Sequence, residues 1–304
     1  MPSVTKNSKS KNKTYVNTYI ISFKNIFLRH SSATLRLAVA AVLLMCSLLV
    51  FSQSISKGKF EAMRGKVADN YNFWVYTPGD YEEEGHPLPL VIFLHGASLC
   101  GRNLDRVRRY GVLDAIKRGK IIPALVLAPQ NPGGAWKPER INRLLEWMED
   151  HYRVDTTRVY VIGMSLGGYG TLDFVGSYPD KVAAAMAFCG GCSLGNMDGL
   201  GRLPLWIIHG TADRAVGIAQ SKRVVDYLQD NHEDSLLRYD WIEGGSHGLL
   251  ARLFYLQKSY DWLFTHSTMD KPRQADRSFD IDMDDIRQTY DELRWFKEGF
   301  FEND

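Results

Sequence analysis

Between about residue 60 and residue 265 the chain alternates short, continuous apolar runs with stretches of helical period. The candidate strands are Phe73–Thr77, Leu88–Leu94, Ala124–Ala128, Val159–Ile162, Ala183–Phe188, Leu205–Ile208 and Arg238–Ile242. Most are apolar throughout, as strands covered on both faces are. Between them Leu104–Lys117, Pro138–Tyr152, Gly168–Ser177 and Ala219–Asp230 have helical spacing, and His247–Phe264 closes the pattern. Strand–helix alternation predicts an α/β fold: a mostly parallel, doubly wound sheet with crossover helices on both faces. Ligands in such sheets bind outside the carboxyl ends of the strands, so chemistry is expected in the loops that follow strands. The longest candidate cover is Cys192–Leu203, which is too short for a cap domain and predicts an open pocket.

Composition removes several alternatives. The 37 basic and 35 acidic residues nearly cancel, which argues against a nucleic-acid binder dependent on a basic face. Four cysteines are too few for a small disulfide scaffold. No short period recurs, so the chain is not expected to form a solenoid or propeller.

The two ends differ from the middle. Lys6, Lys9, Lys11, Lys13, Lys24, Arg29 and Arg36 come before any acid, the first being Glu61. Leu37 to Phe51 is a run of 15 residues broken only by Ser47, and Ser52-Gln53-Ser54 follows it. A basic segment, a short apolar core and a small-residue exit describe a secretory signal. A membrane span takes about 17–25 apolar residues, so this run is short for one, with an uncleaved signal-anchor as the rival. Residues 1–54 are therefore expected to be a signal peptide or signal-anchor. That places the protein in the periplasm, at the cell envelope or outside the cell, with membrane contact only through this segment if it is uncleaved. Residues 60–266 are expected to form the folded α/β domain. Residues 267–304 are an acidic extension, with 11 acids and 6 bases from Asp270 onward. It is expected at the surface, with a helix around Ile281 to Phe300 that docks or stays solvated.

The sharpest local feature is Gly163-Met164-Ser165-Leu166-Gly167, between a strand run and a helical stretch. G-x-S-x-G in that position suits a tight strand-to-helix turn that projects the serine hydroxyl at the sheet's edge. The helix that starts there adds amide dipoles that favour developing negative charge. Serine needs a base to act as a nucleophile, and the base needs an orienting acid. Downstream lie His209, His232, His247 and His266. His247, in Glu243-Gly244-Gly245-Ser246-His247-Gly248, sits in a flexible loop after the last strand run. His232 and His266 read as surface residues, and His209 as one that holds its own loop. The acid is Asp213, a short turn after Leu205–Ile208, with Glu243 in reserve. For the oxyanion, the N–H of Ala97, or alternatively Ser98, follows Leu88–Leu94, and the N–H of Leu166 is the second donor. His95 reads as structural. Cys189-Gly190-Gly191-Cys192 allows either a local disulfide or two small buried thiols. Trp136 is expected as an apolar pocket wall in contact with substrate.

Together, His95-Gly96, Ala128-Pro129-Gln130, the segment from Arg158 to Gly170, Cys189-Gly190-Gly191, His209-Gly210-Thr211-Ala212-Asp213 and Gly245-Ser246-His247 resemble the α/β-hydrolase superfamily. They are most similar to secreted carboxylesterase/phospholipase-like enzymes: the feruloyl-esterase-like and polyhydroxybutyrate-depolymerase-like groups, with links to dienelactone hydrolases and to the catalytic domain of prolyl oligopeptidases. The resemblance covers roughly Val75 to Phe264. It departs at the acid motif, where Val216 is followed by Gly217 and not by the usual proline. It also departs from dienelactone hydrolases proper, which use a cysteine nucleophile. It implies a triad of Ser165, Asp213 and His247, oxyanion donors Ala97 and Leu166, and two-step acyl transfer on small or carbohydrate-linked carboxylic esters. No cofactor or metal is implied, since zinc would require clustered Cys/His ligands. The alternatives are a serine peptidase or amidase, and a binding module without catalysis on the same scaffold.

Overall fold

The computed structural model describes residues 58–82 and 85–290; the leader expected at 1–54 and the end of the C-terminal extension lie outside them. The eight strands are β1 (Lys59–Met63), β2 (Phe73–Thr77), β3 (Leu88–Leu94), β4 (Leu125–Pro129), β5 (Val154–Met164), β6 (Ala184–Phe188), β7 (Leu205–Gly210) and β8 (Leu237–Ile242). They form one sheet in the order β1-β2-β4-β3-β5-β6-β7-β8. From β4 to β8 every pairing is parallel, while β1 and β2 join antiparallel at one edge. The expected mostly parallel sheet is therefore present. β2, β4, β6 and β7 are buried at every residue, which is why their sequences read as unbroken apolar runs. Pro89 lies at the start of β3, where it lacks a ladder donor, and the register against β5 shifts between Leu88 and Leu90.

The described helices are α1 (Val112–Lys117), α2 (Pro138–His151), α3 (Leu166–Ser177), α4 (Ala219–Asp230), α5 (His247–Leu250) and α6 (Gln257–Phe264). Proline opens α2, where a missing N–H costs nothing. The buried residues Ile141, Leu144, Leu145 and Met148 of α2 repeat at helical spacing and face the sheet. α4 does the same with Ser221, Val224, Val225 and Leu228. The apolar core forms one cluster on each face of the sheet. Two expected helices are broken: Leu104–Arg108 is a 3-10 turn ahead of α1, and His247–Phe264 divides into α5, a 3-10 turn and α6. No cap domain is found among the described residues, and no helix there is long and apolar enough to cross a membrane.

The described part of the acidic extension packs down through its bases. The Arg273 guanidinium donates to the carbonyls of Val182, Ala183 and Arg202, ahead of β6 and β7. Arg277 donates to the carbonyls of Asp234, Ser235 and Leu237 at the start of β8. Lys258 on α6 pairs with Asp285 at 2.9 Å, and Ile281 and Ile286 are buried. Through these two arginines the strap lies against the amino-terminal ends of β6, β7 and β8.

Candidate active site

Ser165 lies between β5 and α3 at φ 59°, ψ −123°, a backbone conformation that a residue with a side chain adopts only under constraint. The constraint comes from both sides. The Ser165 N–H donates to Phe188 O at 2.8 Å, fastening the turn to the end of β6. A Cβ on Gly163 would stand 2.3 Å from Gly167 O, and one on Gly167 would stand 1.8 Å from Leu94 O. Strand, turn and helix therefore approach more closely than any side chain allows, and the G-x-S-x-G spacing is a consequence of that packing. Leu166 is the first residue of α3, so its N–H has no acceptor within the helix and remains available beside the serine.

The loop after β3 approaches the same turn, since a Cβ on Gly96 would lie 3.4 Å from Ser165 Cβ. His95 is fully buried in this loop. Its Nε2 accepts the N–H of Asn131 at 3.0 Å, so the proton sits on Nδ1, which faces Gly96 O at 2.8 Å. Burial pulls the ring pKa down to about 4, outweighing the Gly96 carbonyl, so the ring stays neutral in that role. Gly96 N–H is taken by Tyr110 Oη at 2.9 Å, and Gln130 Nε2 donates to Leu99 O at 2.7 Å. Ala97, the first residue of a 3-10 turn, directly follows Gly96 and is exposed.

Trp136 does not occupy the expected position at a pocket wall. It is 2% exposed, its indole N–H donates to His95 O at 3.2 Å, and its ring meets His95 and Tyr71 edge-on. A buried indole must bond its N–H, and here the acceptor is the loop beside the serine, which Trp136 braces from below. The disulfide alternative at 189 and 192 is likewise excluded: both are buried free thiols.

The acid and histidine loops are joined to each other. Ala212 N–H donates to Gly245 O at 3.0 Å, and Gly244 N–H donates to Thr211 Oγ1 at 2.9 Å. A Cβ on Gly210 would stand 2.1 Å from Gly245 O, which accounts for the glycine in His209-Gly210-Thr211. Asp213 Oδ1 accepts the N–H groups of Ala215 at 2.8 Å and Val216 at 2.9 Å. Its Oδ2 faces His247 Nδ1 at 2.6 Å, with the carboxylate fully buried and the imidazole about a quarter exposed. Burial alone would raise the Asp213 carboxyl pKa. The Val216 amide, the His247 imidazole and the Ala215 amide outweigh burial and hold the pKa below the usual carboxylate range. His209 Nε2 lies 3.4 Å from the same Oδ2.

Cys189 links the serine to this pair. It directly follows Phe188, whose carbonyl holds the Ser165 N–H. Its thiol belongs to a group with Asp213 and His247 in which the donor atoms lie within 4.8 Å of one another. Cysteine, aspartate and histidine are donors that zinc uses. However, two ligands bound to one zinc at about 2.0 Å sit roughly 3.3 Å apart in tetrahedral geometry. The 2.6 Å separation of Asp213 and His247 is instead that of a shared proton. The sequence pointed to Cys189 only as half of a disulfide or thiol pair and gave no sign of Tyr110 or Asn131 at the site. Only Cys189 carried a signal, through its position directly after a strand run.

The expected residues Ser165, Leu166, Ala97, Asp213 and His247 thus lie in loops or helix starts after β5, β3, β7 and β8, all at the carboxyl edge of the sheet. A serine in constrained backbone, the first amide of a helix directly after it and an imidazole hydrogen-bonded to a buried carboxylate are thus gathered at one edge of the sheet.

The sequence model of a family described as "Putative esterase" matches residues 65–223, which is 159 of the chain's 304 residues. A bifunctional acetylxylan esterase/xylanase of Neocallimastix patriciarum is 29% identical over 90 residues, which are 30% of this chain and 13% of that protein. The crystal structure of a thermostable esterase superposes with a TM-score of 0.59 at 25% identity, over 70% of this chain and 64% of that one. The feruloyl esterase module from Clostridium thermocellum, in a mutant complexed with sinapinate, gives 0.52 at 15% identity, over 67% and 87%. The fluorophosphonate-binding serine hydrolase FphF of Staphylococcus aureus gives 0.52 at 16% identity, over 68% and 98%. The last two show the shared α/β-hydrolase fold. The chain spans less than two thirds of the length of the acetylxylan esterase/xylanase and of the thermostable esterase.

Proposed function

Because the chain belongs to this esterase family, we propose that it hydrolyses carboxylic esters through an acyl-enzyme on Ser165. The single observation that carries the reading is the 2.6 Å contact between His247 Nδ1 and the buried Asp213 carboxylate, at the same carboxyl edge of the sheet as a serine held at φ 59°. That contact fixes the tautomer with the proton on Nδ1 and the lone pair on Nε2, the form that accepts a proton from a serine.

His247 removes the Ser165 proton as Oγ attacks the ester carbonyl. The N–H groups of Ala97 and Leu166 take the oxyanion, each supplying about 3–4 kcal/mol of transition-state stabilisation. The imidazolium then protonates the leaving alcohol, and water repeats the sequence to free the acid. Small or carbohydrate-linked esters are the proposed substrates. The lack of a cap domain among the described residues supports this, as do the acetylxylan and feruloyl esterases among the similar proteins. Export is proposed from the acid-free basic segment and short apolar run that precede Glu61.

The test is covalent labelling of the folded protein with a fluorophosphonate probe, run beside p-nitrophenyl acetate, acetylated and feruloylated sugars, and peptide anilides. Wild type is expected to label at Ser165 and cleave esters in preference to anilides. Ser165→Ala is expected to lose both label and turnover. More than about a tenth of the activity remaining in Ser165→Ala would overturn the assignment, because losing a triad member costs far more.

A further inference from the structure

His209 is the penultimate residue of β7 and is fully buried, and both of its ring nitrogens are engaged. Nδ1 lies 2.7 Å from Ser221 Oγ on α4, and that oxygen lies 2.7 Å from Gly190 O. Nε2 lies 2.9 Å from Val216 O and 3.4 Å from Asp213 Oδ2. Both neighbours of Nε2 are oxygens that carry no hydrogen, so Nε2 carries the proton and donates it. On the other side, the one Ser221 hydroxyl hydrogen faces Nδ1 and Gly190 O. With the ring neutral it serves Nδ1, and if the ring gains a proton it turns to Gly190. Burial disfavours that second proton, against the opposing pull of Val216 O and Asp213.

The acid turn is therefore held from both sides. The N–H groups of Ala215 and Val216 grip Asp213 Oδ1, and the carbonyl of that same Val216 is gripped by His209. Without the second grip the 213–216 segment, largely exposed at Arg214 and Ala215, is anchored only at its start, by the Asp213 N–H on Gly210 O at 3.2 Å and by its own carboxylate. We propose that His209 is a positioning residue for the acid: its Nε2–H bond to Val216 O, backed by Ser221, fixes the turn so that Asp213 Oδ2 meets His247 Nδ1. This rests on the serine-hydrolase reading for its effect on turnover, but the alignment itself can be observed without turnover.

The experiment compares His209→Gln with His209→Met. Glutamine places an amide N–H close to where Nε2–H stands, whereas methionine fills similar space without a donor. Ester kcat and KM are measured on folded protein, together with the low-field proton resonance of His247 Nδ1–H, which a 2.6 Å bond to a carboxylate produces. Gln is expected to stay within about threefold of wild-type kcat and to keep the resonance. Met is expected to lose at least about tenfold in kcat, with KM changed less than about twofold, and to lose the resonance, since misplacement by an ångström can cost about a hundredfold. Should Met not fold, His209→Asn replaces it, because its amide reaches toward Ser221 but falls short of Val216. The proposal is overturned if the donor-less variant matches Gln in kcat and resonance, if Gln falls as far as Met, or if the loss appears in KM. A wild type that cleaves no ester, yet shows the resonance with this Gln-against-Met pattern, would sink the hydrolase reading and leave His209's role standing.

Discussion

Replacing Asp213 with asparagine separates two accounts of what the carboxylate does. Asp213 Oδ1 takes the N–H groups of Ala215 and Val216, and an asparagine carbonyl can take them equally well. The turn should therefore survive, and the amide NH2 then occupies the place of Oδ2, which now meets His247 Nδ1 at 2.6 Å. A donor there forces His247 to present a lone pair at Nδ1, so its proton moves to Nε2, the nitrogen that must receive the Ser165 proton. If the carboxylate were only one more charged hydrogen bond, its loss would be worth about 1.5–3 kcal/mol, or roughly 10- to 150-fold. If it sets the tautomer, the loss is about 10⁴-fold in kcat, near 5.5 kcal/mol. The new amide also faces the Nε2–H of His209, 3.4 Å from the present Oδ2, so stability should fall by about 1–3 kcal/mol while the protein stays folded. Initial rates on p-nitrophenyl acetate, with circular dichroism and thermal melts as the folding control, decide the matter. A folded Asp213→Asn protein within about 150-fold of wild type would refute the tautomer account.

Gly167→Ala would place a methyl 1.8 Å from Leu94 O, against backbone that cannot swing aside. It should destabilise by more than about 3 kcal/mol, and an unchanged melting temperature would contradict the close approach described above. Acid should unfold the protein partly through its buried histidines. Burial holds His95 at about 4 in the folded state, whereas an unfolded histidine titrates near 6.5, so the unfolded chain binds more protons between these values. Stability should be independent of this group above about pH 6.5 and lower by about 3 kcal/mol once pH 4 is reached, with His266, also pulled down to about 4, acting in the same direction. Equal urea midpoints at pH 7 and pH 4.5 would rule this out.

The sequence revealed most where one residue's surroundings are all apolar or all backbone. Fully buried strands such as β4 and β7 must be apolar on both faces, so their runs were visible. β1 was not visible, because Lys59–Met63 is a half-exposed edge strand that mixes Lys59 and Glu61 with apolar residues. The elbow was visible because its two glycines keep a fixed spacing around the serine, although only Gly163 is required by a neighbour a few residues away and Gly167 is required by the distant Leu94 carbonyl. The partners of His95, Trp136 and His209 were not, because Asn131, His95 O and Val216 O come from turns whose approach depends on the whole sheet. Trp136 was misread for the same reason: a tryptophan after a Gly-Gly turn has the same local sequence whether its ring faces a cleft or lies beneath it. The acidic extension looked like surface by charge, yet its arginines seek carbonyls and its two isoleucines seek the core.

The two edges of the sheet are closed by opposite chemistry, and this separates stability from reactivity. At the amino edge, backbone carbonyls before β6, β7 and β8 are left over, and guanidinium groups of the extension take them. At the carboxyl edge the unpaired groups are N–H donors at the start of α3 and of the turn at Ala97, which need an anion, and none of the extension's arginines donates there among the described residues. A guanidinium at that edge would compete with His247 for Asp213, whose carboxylate is already held in its charged form. On this side the extension meets the segment after the histidine through Arg252, whose guanidinium donates to Arg287 O at 2.9 Å, and through Met283, whose Cε lies 4.0 Å from where a Cβ on Gly244 would stand. An apolar side chain can support the histidine loop without adding charge to it. At the serine loop itself the brace is a guanidinium from outside the extension: Arg106 donates to Ser98 O at 2.7 Å, so a cation can hold this edge through a carbonyl while the amides of Ala97 and Leu166 are left for the oxyanion.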